Sequence, residues 1–414
     1  MKFQLKLSKV ILCFSLVFCV AGLYGQNSKK IKFGKKLSSR DIVYYLASDE
    51  LEGRSPGTKG DSLSVDFINS QLQKLGYDTY IKSFGVTKNV KSFNIYGVKP
   101  GQSGKYIVVG AHYDHLGFGG KETSSRRPDT LAVHNGADDN ASGVAGVLAM
   151  AKRYARVKNN KHGYIFATFG AEEIGIVGSK YFQSQILKSN NIKSEDIIAM
   201  INFDMIGMLR GSNLTIGGTG TALEIDSIIA NANSSYHNAF SIAKSKVGHG
   251  PSDHASFYAK KIPVFFFTTG VTEDYHTPFD DANKLNYLGI DSVANFAALI
   301  CNELQCCEKL SFQETGSITP TNSHSKRNAM KVTLGIMPDV TGQIDNGLRA
   351  DIVVKDKPAY NAGMKNGDII IAINGIKIFN IQDYMKNLES LSPNSIAKIK
   401  ILRDGVEMDF DISF

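Results

Sequence analysis

The sequence has no tryptophan, and only five cysteines in 414 residues. Cys13 and Cys19 lie in an apolar N-terminal run, while Cys301, Cys306 and Cys307 share one helix-like stretch. An odd set of thiols with no CxxC pair excludes a disulfide-built scaffold and a thiolate zinc site. These three read as ordinary helix residues, with a bridge from Cys301 to Cys306 or Cys307 as the alternative. No G-x-S-x-G elbow is present, which argues against a serine hydrolase of that design. "GADDNASG" (Gly136–Gly143) lacks the spacing and closing glutamate of an EF-hand. No repeat links the two halves of the chain. Basic residues outnumber acidic ones, giving a formal charge of +8. No basic patch interleaved with aromatics accompanies them, so nucleic acid is not an expected partner.

The N-terminus, "MKFQLKLSKVILCFSLVFCVAGLYGQ", runs from basic residues through an apolar stretch to small residues. That is the order of a secretory signal peptide, expected over residues 1–25. The apolar run, Val10 to about Gly22, is short for a membrane span, so the mature chain is expected to have no transmembrane segment. Bulky Phe18 before Cys19 argues against a lipid anchor. The protein is therefore expected to be exported, to a periplasmic or extracellular location.

Residues 36–310 alternate strand-like and helix-like segments. "KYIVVGAHYDH", "GYIFATFGAEE", "SEDIIAMINFDMIG" and "KIPVFFFTTG" are apolar runs that end in polar residues, and helical periods separate them. Such alternation predicts an α/β domain, a mostly parallel mixed sheet with helices on both faces. Residues 311–328, rich in Ser, Thr and Asn, read as a linker. Residues 329–414 carry short strands, one small helix and tight turns such as "NG" and "DG", the pattern of a small β-rich domain.

Five pieces at strand ends hold the chemistry: "AHYDH", "GADDNASG", "GAEEIG", "NFDMIG" and "DYHTPFDD". Ligands of open α/β sheets bind at the carboxyl ends of strands. Taken alone, Asp138 and Asp139 before a helix would be N-terminal caps. Together the pieces supply imidazoles and carboxylates without thiolates, a donor set for zinc or a related divalent metal such as manganese or cobalt.

The order of these motifs, with the opening "LASDELEGRSPGTKGD", resembles the co-catalytic di-zinc aminopeptidase family over most of residues 40–310. The resemblance implies a zinc exopeptidase fold, two Zn2+ ions per chain and peptide substrates. It implies His112 and Asp204 at one metal, Glu173 and His276 at the other, and Asp139 bridging both. It also implies a cis peptide after Asp139. Glu172 would be the general base, and Asp114 the acid that fixes the His112 tautomer. Ser252, Asp253 and His254 would lie near substrate, with a structural turn as the alternative. His115, His134, His162, His237 and His324 are read as surface or loop histidines. The C-terminal region resembles a PDZ domain, with Leu334, Gly335 and Ile336 in its carboxylate-binding loop and a peptide or protein C-terminus as its partner. The function implied is removal of N-terminal residues from peptides. The alternatives are a single-zinc glutaminyl-cyclase-like acyltransferase, a dipeptidase or carboxypeptidase on the same fold, and a binding protein with an inactive peptidase domain.

Overall fold

A computed structural model of the chain describes residues 37–315, 332–338, 346–379 and 381–414. The expected signal peptide, most of the expected linker and His324 lie outside these residues.

Eight strands form one sheet: β1 (Asp78–Gly85), β2 (Lys91–Lys99), β3 (Tyr106–His112), β4 (Gly163–Phe169), β5 (Ile197–Phe203), β6 (Asn213–Gly217), β7 (Ser241–Lys244) and β8 (Val264–Thr268). Their order is β1-β2-β4-β3-β5-β8-β6-β7. The centre, β4-β3-β5-β8, is parallel throughout. Antiparallel pairs lie outside it, where β1 meets β2, β2 meets β4, and β6 meets β8. β4, β5 and β8 are buried at every position, which is why they read as unbroken apolar runs rather than as alternating ones. β1 is mostly exposed and carries no such run.

Alternation along the central strands sorts their side chains onto two faces. On one, Val108, Ile165, Ala167, Phe169, Met200 and Val264 pack with Phe182 and Phe257. Phe169, Phe182 and Phe257 lie with ring centroids 5.5–6.2 Å apart. Each contributes about 1.5–3 kcal/mol by burial, and Phe182→Ala would forfeit about 3–5 kcal/mol once its cavity is counted. On the other face, Phe166 stacks near Tyr154 of the helix Gly143–Tyr154, and Phe267 meets Phe296 of the helix Tyr287–Cys306. Because the central strands run parallel and in register, their carboxyl ends reach one edge together: His112 lies opposite Phe169, and Phe203 opposite Phe267.

The C-terminal region has its own sheet. Strands β9 (Ile336–Pro338), β10 (Leu348–Val353), β11 (Ile369–Ile373), β13 (Ile396–Arg403) and β14 (Val406–Ser413) pair in the order β14-β13-β11-β10-β9, and β12 (Ile376–Lys377) folds onto β11. A buried cluster that includes Leu334, Leu348, Ile370, Leu388, Ile399 and Ile412 fills it. One helix, Ile381–Glu389, packs Tyr384 and Leu388 into that cluster. Cys301, Cys306 and Cys307 are free thiols, so the bridging alternative is not realised. Among the described residues, no helix is long and apolar enough to cross a membrane.

Candidate metal centre

Each donor stands where a strand or helix meets a loop. His112 is the last residue of β3. Glu172 and Glu173 follow β4 after a turn in which Ala171 takes a positive φ of 58°. Asp204 directly follows β5, and His276 lies in the loop after β8. Asp139 comes from the segment that leads into the helix Gly143–Tyr154, and the Asp139–Asn140 peptide is cis.

These residues meet around Asp139. His112 Nε2 is 3.3 Å from Asp139 Oδ1 and 3.6 Å from Asp204 Oδ1. His276 Nε2 is 3.1 Å from Asp139 Oδ2 and 3.2 Å from Glu173 Oε2. The two oxygens of one carboxylate thus face two separate groups of donors. The outer nitrogens of both imidazoles lie near main-chain carbonyls, His112 Nδ1 3.2 Å from Asp114 O and His276 Nδ1 3.1 Å from Ser124 O. That arrangement turns each Nε2 toward the acids.

Asp114 has a different task from the one expected. Its carboxylate is 3.8 Å from His112 Nδ1. Instead it accepts the main-chain N–H groups of Glu172 (3.0 Å) and Glu173 (3.3 Å), so it fixes the turn that presents both glutamates.

The loop that carries Asp139 is held from several directions. Asp280 accepts the N–H groups of Asp138 and Asp139, both at 2.9 Å. Asp138, which reads as an ordinary cap, is buried and accepts the N–H of Gly207 at 2.7 Å, tying the loop to the segment after Asp204. Asn140 donates to Phe203 O at 2.9 Å. Arg54 is fully buried, and its guanidinium donates to the carbonyls of Tyr113 (2.6 Å), Asn135 (2.6 Å), Gly136 (2.9 Å) and Leu46.

The electrostatics follow from crowding acids in a buried space. Burial opposes charge on Asp139, yet His112 and His276 hold its carboxyl well below the usual range. Burial likewise opposes charge on Glu173, and His276 and His115 bring it down to about 2. The same pairing lifts both imidazoles well above their ordinary range against the pull of burial, His112 through Glu172 and Asp204, His276 through Glu173 and Asp139. Glu172 behaves in the opposite way, because burial and the neighbouring acids push it well above a normal glutamate. Asp114 is pushed up to about 7 by burial.

This arrangement suits divalent cations. Asp204 Oδ1 is buried without a hydrogen-bond partner. The donor atoms of His112, Asp139 and Asp204 lie within 4.8 Å of one another, as do those of His115, Asp139 and Glu173. Nitrogen and carboxylate oxygen donors in this number fit zinc.

His115, His134 and His162 lie in loops, as expected, but are buried rather than on the surface. His134 is satisfied by Ser125 and Ala132, and His162 by Ser103 and Cys307, so both serve as structural pins. His237 is exposed, as expected. Ser252, Asp253 and His254 are all buried. Ser252 accepts from Asn202 at 2.8 Å, and the His254 ring stacks on Phe266. Asp253 is pushed up to about 6 by burial, within the field of His112 and Asp204. Asp253 thus borders the donor cluster, with both carboxylate oxygens buried. In the C-terminal region Leu334 is buried, and Gly335, at φ +72°, donates its N–H to Thr333 Oγ1 at 3.1 Å.

Sequence reading missed Asp280, Arg54, His115 and Tyr275. The Tyr275 ring stacks on His276 at 3.8 Å, and burial with the acids Asp139, Glu173 and Asp204 pushes its phenol up. Asp280 lay inside a quoted motif, and Arg54 inside the quoted opening segment, but neither carries a pattern of its own.

Comparison with known proteins agrees with this geometry. A sequence model of Peptidase family M28 matches residues 94–301, and one of the PDZ domain matches residues 332–414. Leupeptin-inactivating enzyme 1 of Streptomyces exfoliatus is 23% identical over 397 residues, covering 86% of this chain and 83% of its own length. The chain spans only 55% and 59% of two further curated relatives, both aminopeptidases by name. Among solved structures, a zinc aminopeptidase from Bacillus subtilis superposes with a TM-score of 0.55 at 15% identity, covering 69% of this chain and 98% of that one. A glutaminyl cyclase from Porphyromonas gingivalis superposes equally well, with a TM-score of 0.55 at 19% identity over 64% of this chain and 97% of that one. These two likenesses establish the shared fold. The family match spans half the chain and takes in every donor residue described above, so this chain belongs to peptidase family M28, with a PDZ domain following its peptidase region.

Proposed function

We propose that this chain is an exported metallo-aminopeptidase that hydrolyses the N-terminal residue from peptides with two zinc ions and Glu172 as general base. The observation that carries the reading is the convergence of two donor groups on the two oxygens of Asp139. His112 and Asp204 serve one ion, Glu173 and His276 the other, and Asp139 bridges.

Bound zinc supplies Lewis acidity for the peptide carbonyl and lowers the pKa of water toward neutrality. The chain's residues do the rest. Glu172, buried beside the donor cluster and not needed as a ligand, takes a proton from the attacking water and returns it to the leaving amine. Asp114 keeps Glu172 and Glu173 on one rigid turn, so that one is free as base while the other binds metal. Tyr275, whose phenol stays protonated, is a donor at the edge of the acid cluster.

The fold likeness to a glutaminyl cyclase supports a second reading, a single-zinc acyltransferase. The complete donor set on both sides of Asp139 favours two ions and hydrolysis. Domain limits of 36–310 and 329–414 belong to this proposal, as does capture of a peptide or protein C-terminus by the PDZ domain. The test is metal content and aminoacyl-anilide hydrolysis on one purified preparation. About two zinc per chain with chelator-sensitive release of the N-terminal residue is expected. One zinc without hydrolysis, but with cyclisation of an N-terminal Gln peptide, would favour the second reading.

A further inference from the structure

We propose that His115 is a ligand of the second metal position, beside Asp139, Glu173 and His276, and that the two positions are therefore unequal. The inference rests on the two-ion reading above. The first position has three protein donors, from His112, Asp139 and Asp204. The second has four.

His115 lies three residues beyond His112 and is 1% exposed. Its Nδ1 is 2.8 Å from Glu173 Oε1 and 3.8 Å from Asp139 Oδ2. Glu173 therefore stands between two imidazoles, with Oε1 toward His115 and Oε2 toward His276. Asp139 Oδ2 faces both rings, whose centroids are 5.6 Å apart. Room for the His115 ring is built into the backbone. A Cβ on Gly136 would stand 2.5 Å from its Cγ, and Gly136 has φ +56°, so only glycine serves there.

Two other buried histidines, neither in contact with the acids, set a contrast. His134 and His162 have both ring nitrogens partnered by hydroxyl or carbonyl oxygens, as structural imidazoles do. The polar contacts of His115 Nδ1 are two carboxylates, both at the second metal position. Two buried acids facing one nitrogen need positive charge between them, and a cation held by Nδ1, Glu173 and Asp139 supplies it.

Unequal donor counts have a chemical consequence. Four protein ligands nearly complete the zinc sphere, as in sites that hold metal permanently, whereas three leave a position open. The ion near His276 and His115 is then the tightly held one. The ion near His112 is the more exchangeable, with its open position toward the substrate.

The same 2.8 Å contact would also arise if His115 only oriented Glu173, so the test must separate ligand from positioning residue. Full-length apoprotein is titrated with Zn2+ by competition against a chromophoric chelator, for wild type, His115→Ala and His115→Asn. The Asn amide N–H can take the place of Nδ1 as a donor to Glu173 but offers no ligating nitrogen. Both variants are expected to bind one of the two ions about 100-fold or more weakly than wild type. Unchanged affinity in His115→Ala, or recovery in His115→Asn, would overturn the ligand role. X-ray absorption of wild type loaded with one zinc per chain needs no variant. Two imidazoles around that ion are expected, and one would overturn the inference while leaving the two-ion reading intact. A wild type that binds no zinc would remove both.

Discussion

Asp280 offers the sharpest test of how the centre is assembled. It supplies no expected donor to either metal, yet its two oxygens accept the N–H groups of Asp138 and Asp139 at 2.9 Å. Asp280 is 4% exposed, so water has little access to replace it. Hydrogen bonds to a charged acceptor are worth about 1.5–3 kcal/mol each, and two lost together come to about 3–6 kcal/mol. Part of this returns, because burial also pushes the Asp280 carboxyl up and its removal relieves that penalty. A net loss of about 2–4 kcal/mol is expected for Asp280→Ala, and about half that for Asp280→Asn, which keeps one acceptor. Freed from its anchor, Asp139 should no longer face both donor groups, and zinc affinity should fall about 10- to 100-fold. Urea unfolding of the apoprotein, followed by circular dichroism, reads the first effect, and chelator competition reads the second. A variant that unfolds within about 0.5 kcal/mol of wild type and binds zinc equally would refute the reasoning.

Glu172→Gln should load both ions while hydrolysis drops about 10²- to 10⁴-fold, and an active variant would remove Glu172 from the role of base. Asp139→Asn should lower the metal content of purified protein, whereas full two-ion loading by elemental analysis would rule out the bridge. The last prediction concerns pH. Burial pushes His254 down to about 3, so the native ring stays neutral while the unfolded one protonates below its ordinary value of 6.5. Its contribution to stability is therefore complete above that value and shrinks as the pH falls toward 3, by about 2 kcal/mol at pH 5. His254→Phe, which keeps the stack on Phe266, should lose correspondingly less stability between pH 7 and pH 5. Parallel pH profiles for the two proteins would contradict the assignment.

Much of the centre was legible in the chain because parallel central strands announce themselves. β4, β5 and β8 are buried on both faces and read as unbroken apolar runs, and the first polar residues after a run must lie at the sheet edge. That logic reached Glu172, Glu173 and Asp204, and motif order added His112, Asp139 and His276. It did not reach the contact of His115 with Glu173: His115 is the loop residue expected, and nothing local tells a buried imidazole from a solvated one. For Ser252, Asp253 and His254 the motif gave no sign that packing would bury all three side chains.

By itself, then, the sequence determined the alternation of strands and helices, the acids and imidazoles at the strand ends, and the separate β-rich region at the C-terminus. These are local properties, set by side-chain period and by the polar residues that end each run. Only the tertiary structure decided which side chains hold the others in place. Asp280 reaches Asp139 across 141 residues, Arg54 reaches Gly136 across 82, and His115 meets Glu173 across 58. No short-range pattern encodes such pairs. They exist because the register of the sheet brings its carboxyl ends together, and because a buried charge must find a partner wherever the fold places one.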